Sequence, residues 1–246
     1  MKKTIISCVL FLTAVTAFSQ TPMKTAAEAK LSASDLAVKI ADRILATTTY
    51  EFKNTKTGKT YKSVKNLPLD MNVKVACKYN NWHYTNGVTH IALMELADKT
   101  GAKKYDDYVL KNMNFVFNEG NLDFFKKQYE QAMKNEGWYG VRKLSWHMIF
   151  RGKRLDDNGP MGASLIDLQM KHPNNSFLNY INETAGHLNY GEPRLADGTI
   201  ARIWPHENTI WADDAFMAIS FLARMAKMTG DMSYINDAAN QVIKYH

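Results

Sequence analysis

Residues 210–217 read IWADDAFM, with two adjacent carboxylates, Asp213 and Asp214, beside Trp211 at the mouth of a long apolar run. Burying an ionised carboxylate is costly unless it is paired, hydrogen-bonded or partly neutralised, so a doublet in that place points to a use. A second doublet, Asp156-Asp157, stands in RLDDNGPMG at 154–162, and a third polar and aromatic cluster, NWHYTNG, at 81–87. Arg202, Trp204, Pro205 and His206 lie just ahead of the first doublet. Carboxylates with aromatic residues in a cleft suit carbohydrate chemistry, in which rings stack on sugar faces and Asp or Glu supplies the acid. Other chemistries lack their signatures: there is no HExxH, no cysteine pair for zinc, no Gly-rich phosphate loop and no GxSxG elbow. His83 and His90, seven apart, read as rim and core residues rather than metal ligands, so neither metal nor cofactor is expected. The plain reading of an Asp ahead of a helix is an N-cap, and of a Trp there a packing anchor. Three such starts, two with doublets, favour a pocket in which one carboxylate of each doublet caps and the other faces the cavity.

The elements that must position these groups are helices. Hydrophobic periodicity predicts them over about 33–49, 85–99, 104–118, 161–171, 176–187, 212–228 and 232–245, and strand-like alternation is scarce. Clusters such as NTKTGK at 54–59 and HPNNS at 172–176 separate them. Two joints repeat: KTGAKKY at 99–105 and MTGDMSY at 228–234 each hold Thr-Gly, three residues and a Tyr, with a weaker copy in KHPNNSF at 171–177. The Gly ends one helix in a left-handed conformation, and the aromatic anchors the next. Within a pair the two helices differ. AFMAISFLA at 215–223 has Ser220 as its one polar residue and asks for burial on most sides, whereas its successor carries a single stripe, Tyr234, Ala238, Val242 and Tyr245. Buried inner helices within a ring of amphipathic outer ones describe an (α/α) barrel rather than an open solenoid. Successive inner helices then run in the same direction, so their N-termini and the three clusters share one rim, where free N–H groups and positive dipole ends favour anions.

The 246 residues, 46% hydrophobic, suit one domain with a sizeable core. Residues 1–20, MKKTIISCVLFLTAVTAFSQ, read as a cleavable signal peptide, implying a periplasmic or secreted protein with the domain over 21–246. Its removal takes two lysines and no acids, so the formal charge falls from +7 to +5. It also leaves Cys77 as the one cysteine, which excludes an intramolecular disulfide. No basic run with interleaved aromatics suggests nucleic acid, and no other segment is long enough to span a membrane.

WHYTNG, LDDNGPMG, the Arg202 segment and WADDAFM with the following FLARMAKMTGDMSYINDAANQ, in that order, resemble glycoside hydrolase family 105 and its relative family 88. These are the unsaturated rhamnogalacturonyl and glucuronyl hydrolases, and the resemblance spans about 33–246. It implies an all-α (α/α)6 barrel, a six-hairpin toroid of which about seven of twelve helices are present, so that the chain reads as the N-terminal part of a longer protein. It implies Asp213 as the catalytic acid, and then the base that activates water, with Asp157 as its supporting acid. Asp214 would hydrogen-bond locally. Trp211 would form the wall under the sugar, Arg202 a basic group near the substrate and Tyr84 a pocket aromatic, with Trp82, Asn86 and Asp156 as looser carry-overs. The implied substrate is an unsaturated oligosaccharide left by a polysaccharide lyase, pectic ones favoured. The enzyme protonates C4 of the terminal vinyl ether, water adds at C5, and the hemiketal opens to expel the rest of the chain. Two alternatives stand beside this: another (α/α)-barrel enzyme cleaving saturated glycans between opposed carboxylates, and a non-catalytic glycan-binding fragment.

Overall fold

A computed structural model describes residues 32–152 and 154–245; the signal-peptide expectation, residues 1–20, lies outside the described residues. The chain divides after Ile40. Ahead of that point the described residues are Ser32 and the first turns of helix α1 (Ala33–Thr47), where the Ser32 hydroxyl accepts from the Asp35 N–H at 3.1 Å. From Ala41 onward come β1 (Phe52–Asn54), β2 (Thr60–Tyr61), β3 (Val73–Val75), α2 (Tyr84–Thr100), α3 (Lys104–Val116), α4 (Glu119–Val141), α5 (Met148–Arg151), α6 (Leu155–Lys171), α7 (Asn175–Tyr190), α8 (Ala212–Thr229) and α9 (Met232–Lys244).

Helices α2, α6 and α8 stand side by side in that order, and α3, α7 and α9 each fold back against the helix that precedes them. Two glycines let the inner helices meet near their N-terminal ends. A Cβ on Gly87 of α2 would lie 2.3 Å from the Pro160 carbonyl carbon of α6, and one on Gly159 would lie 2.8 Å from the Met217 carbonyl oxygen of α8. Any side chain there would push the layer apart. At the other end α2 and α8 stop on Gly101 and Gly230, at φ 71° and 75°, with their N–H groups bonded to Ala97 and Ala226. In the third copy Asn174 caps α7, accepting from the Ser176 N–H at 2.8 Å, as Asp231 does for Ser233 ahead of α9. Tyr105 and Phe177 are buried as anchors; Tyr234 is half-buried against the same core.

Enclosure on most sides is realised by α6, which has α2 and α8 on its flanks and is buried continuously from Asp157 to Ile166. Helix α8 differs from the expectation for its apolar run. Phe216 is 52% exposed, because among the described residues α8 has inner-layer company on its α6 side alone.

Other elements also depart from the sequence reading: α6 begins at Leu155 rather than near 161, so Asp156 and Asp157 lie inside it, and α5 falls where no helix is expected. The stretch before α2 forms a three-stranded antiparallel sheet, ordered β2-β1-β3, with Phe52 opposite both Tyr61 and Val75. Strands of two or three residues are too short to show alternation, and NTKTGK is the turn between two of them. Phe52 packs on Phe115, Phe124 and Phe125, which holds the sheet against α3 and α4. Gln128 of α4 donates from one amide nitrogen to the carbonyls of Asp70 and Val73, at 2.7 and 2.8 Å. Helix α4 falls where the periodicity predicts no helix. Its buried Phe124, Phe125, Gln128 and Ala132 follow helical spacing, but a polar residue on the buried face and a break at Gly137 (φ 60°) blur the stripe.

Candidate active site

The three inner helices begin alike. Each opens from an extended cap residue, His83, Arg154 or Trp211, and in each the third helical N–H, of Asn86, Asp157 or Asp214, bonds back to the cap carbonyl at 2.9, 2.9 and 3.1 Å. All three third-position side chains are buried. Neither aspartate doublet caps its helix: Arg154 and Trp211 occupy the cap positions without a side-chain cap bond. The expected capping by one member of each doublet therefore does not occur: the buried member pairs with an arginine instead.

Asp157 is 0% exposed and receives both Nε and a terminal nitrogen of Arg151, the former at 2.5 Å. Arg151 reaches it because α5 ends on Gly152 in a left-handed turn (φ 53°), and Asn158 ties that turn down by donating to the Gly152 carbonyl at 2.8 Å. Burial pushes the Asp157 carboxyl above the usual range, and the Arg151 pair reduces that rise without cancelling it. Asp214 likewise takes a bidentate contact from Arg202, through Nε and, at 2.7 Å, a terminal nitrogen. Burial raises its carboxyl too, against the pull of Arg202.

The open members of both doublets converge on that arginine. The Arg202 terminal nitrogen lies 3.5 Å from Asp213 and 3.7 Å from Asp156. Asp213 has a side chain 51% exposed and no bond to its own backbone. The guanidinium also lies over the Trp211 ring, 4.1 Å from its centroid. Arg202 owes its position to a loop fastened to α9. Arg194 grips Asp237 with two bonds, Gln241 accepts from the Ile200 N–H at 2.9 Å, and the Tyr245 hydroxyl donates to the Ile200 carbonyl at 3.0 Å. The Arg202 N–H itself bonds to Thr209 at 2.8 Å.

A hollow of about 250 Å³ opens beside this cluster, with Arg154, Asp156, Glu192, Arg202, Trp204 and Asp214 in its lining. Of the expected residues, the structure thus brings Asp156, Arg202, Trp211 and Asp213 together. Tyr84, at the first position of α2, is partly exposed and lies against the His83 ring at 4.5 Å. Three expectations require correction as to place. Asp157, Trp82 and Asn86 stand behind the rim, enclosed: Trp82 and Asp157 join the starts of α2 and α6, and Asn86 ties down the loop ahead of its own helix. Trp82 donates its indole N–H to the Asp157 carbonyl at 2.7 Å, and Asn86 donates its amide to the carbonyls of Lys78 and Asn81 at 2.9 and 2.8 Å. Asp214, expected to bond locally, reaches twelve residues back to Arg202 instead.

Glu192 escaped the sequence reading. Its side chain is 6% exposed, bonded to the His187 Nε2 at 2.8 Å. Burial, with the negative fields of Asp214 and Asp157, pushes its pKa up to about 7 against the pull of Arg194 and Arg202. It lies in an irregular loop, where no periodicity marks a residue as buried.

The profile of glycosyl hydrolase family 88 matches residues 55–246. No curated protein matches the chain. Among solved structures, it is similar to that of a possible member of GH105 family from Klebsiella pneumoniae subsp. pneumoniae, at TM-score 0.50 and 12% identity, covering 89% of this chain and 48% of that one. Another possible GH105 member, from Salmonella enterica subsp. enterica serovar Paratyphi A, matches at TM-score 0.52 and 14% identity, covering 87% and 48%. The chain spans about half the length of these structures. The fold is of the (α/α)6-barrel class, represented in the described residues by an arc of three inner helices with their outer partners, and the chain belongs to glycosyl hydrolase family 88.

Proposed function

We propose that the whole protein is a glycoside hydrolase that removes an unsaturated uronic acid from the non-reducing end of polysaccharide-lyase products, pectic oligosaccharides favoured, outside the cytoplasm. The observation that carries this reading is the one open carboxyl of the α8 doublet, Asp213, held at the rim beside Trp211 and Arg202 while its neighbour Asp214 is locked away. Asp213 protonates C4 of the vinyl ether, water adds at C5 with Asp213 taking up its proton, and the hemiketal opens to release the saccharide. Arg202 joins both doublets and holds the exposed ring of Trp211 in place for a sugar face. Asp157 acts from behind, fixing Arg151 and the Trp82 link between helix starts.

Cleavage of saturated chains calls for two carboxyls on opposite sides of the scissile bond. Here the two open ones, Asp156 and Asp213, converge on one guanidinium nitrogen, which favours single-acid chemistry. The test is to follow the ultraviolet absorbance of the conjugated double bond in unsaturated pectic and glycosaminoglycan disaccharides incubated with the protein. Decay with the wild type and none with Asp213→Asn is expected; no decay, or equal decay with both, overturns the reading.

A further inference from the structure

Four arginines lie at or beside the rim, and their charges are not used alike. Arg151 is spent on Asp157, and Arg202 faces Asp214 directly with Asp213 and Asp156 within 3.7 Å. Arg194, in the neighbouring loop, is spent on Asp237. Arg154, the cap residue of α6, is exposed, lines the hollow and forms no ion pair among the described residues. Its guanidinium stands 5.3 Å from the ring centroid of Trp204, itself 61% exposed and part of the same lining.

The balance of charge constrains any acidic ligand. Without Arg154, the hollow presents one arginine already surrounded by carboxylates, and a sugar carboxylate entering it meets net repulsion. A cation held against an aromatic face loses some of its freedom but keeps its N–H edge available, and a guanidinium edge matches a carboxylate with two parallel bonds. We propose that Arg154, braced on Trp204, receives the carboxylate of the terminal uronate and thereby selects acidic sugars over neutral ones. This rests on the function proposed above, and it agrees with the geometry of that reaction. The carboxylate is attached to C5, next to the carbon that Asp213 protonates, so the group that holds it must share Asp213's rim. Arg154 does so through Arg202, which lines the same hollow and approaches Asp213 at 3.5 Å.

The experiment compares an unsaturated uronide with its methyl ester, on the wild type, Arg154→Met and Arg154→Lys. Loss of one charge-assisted contact made equally in ground and transition states raises KM and leaves kcat alone, here by about ten- to a hundredfold for the acid. The ester, weak on the wild type, is expected to respond to Arg154→Met by less than about threefold, and Arg154→Lys recovers part of the loss for the acid. Calorimetric binding of both compounds to Asp213→Asn protein, with and without Arg154→Met, supplies the same comparison without turnover. An equal effect on acid and ester, or none on either, overturns the role of Arg154. Absence of turnover by the wild type instead sinks the proposed reaction, and the binding arm still decides whether Arg154 reads the carboxylate.

Discussion

At the two ends of the inner layer formed by α2, α6 and α8, the same contact, cation to carboxylate, is built in opposite ways. At the C-terminal end Lys171 of α6 reaches Asp98 of α2 at 2.8 Å and Asp106 of α3 at 3.1 Å, and Asp98 is 65% exposed. At the N-terminal end Asp157 and Asp214 are almost wholly withdrawn from water, each clasped by an arginine from a different part of the chain. Exposed pairs contribute little, whereas a buried pair costs desolvation on both partners and often adds no net stability. A fold seeking stability alone would choose apolar residues for the enclosed positions. Their retention at one end, beside the hollow, ties them to positioning the open carboxyls Asp156 and Asp213.

The largest effect that this comparison predicts is on turnover. Asp213→Asn keeps shape and hydrogen-bonding capacity but holds no acidic proton, so kcat on an unsaturated uronide should fall by about a hundred- to ten-thousandfold. Its side chain is half exposed, so the urea midpoint should scarcely move. A matching fall in stability would make Asp213 another structural member of the rim and erase the contrast with Asp214.

Next comes the enclosed pair. Asp157→Asn leaves the Arg151 guanidinium, 14% exposed, facing a neutral amide. Removal of one partner from a buried pair costs about 3–5 kcal/mol, read from urea denaturation. Arg151→Met in the same chain should recover a large part of that loss, since the stranded charge goes with it. If the double variant is as unstable as the single one, Asp157 matters for its bonds to surrounding structure and not for its charge balance.

A third effect depends on pH. The Glu192 carboxyl keeps its proton in the folded protein up to about 7, whereas unfolded chains release it near 4.5. Between those values the native state binds more protons, so stability from this group is complete below 4.5 and is lost as pH rises through 7. At ~1.4 kcal/mol per tenfold change in proton affinity, the loss is about 3–4 kcal/mol at most. Glu192→Gln preserves a neutral partner for His187 and does not titrate. It should match the wild type at pH 5 and exceed it at pH 8. An equal difference at both pH values would show that the carboxyl is ionised throughout.

Much of this arrangement was legible in the order of residues, because inner helix starts are local features. WADDAF places Asp214 at the third helical position of α8 by counting from the expected start, and the two Thr-Gly joints mark where α2 and α8 stop, whereas the expected start of α6 near 161 leaves Asp157 outside its helix. What resisted was everything decided across space. Nothing in the chain indicates which member of each doublet is sealed in; burial falls on the third helical position of both, Asp157 and Asp214, each met by an arginine, while Asp156 and Asp213 stay open at the second. Arg151 lies six residues before its partner across a left-handed turn, a spacing no helical pattern reports. Glu192 and the strands around Phe52 sit in segments too irregular or too short for periodicity to register.

The smallest effect tests the other side of the comparison. Lys171→Met removes the cation that links α6 to both members of the preceding hairpin, and at the last turn of its helix it also opposes the dipole. Both carboxylates it leaves can turn to water, Asp98 being mostly exposed already, so neither is stranded as Arg151 would be. The expected cost is below about 1 kcal/mol, shrinking further in high salt. A cost as large as that of Asp157→Asn, undiminished by salt, would mean that exposure does not separate the two ends, and the rim pairs would lose their claim to be retained for anything but the fold.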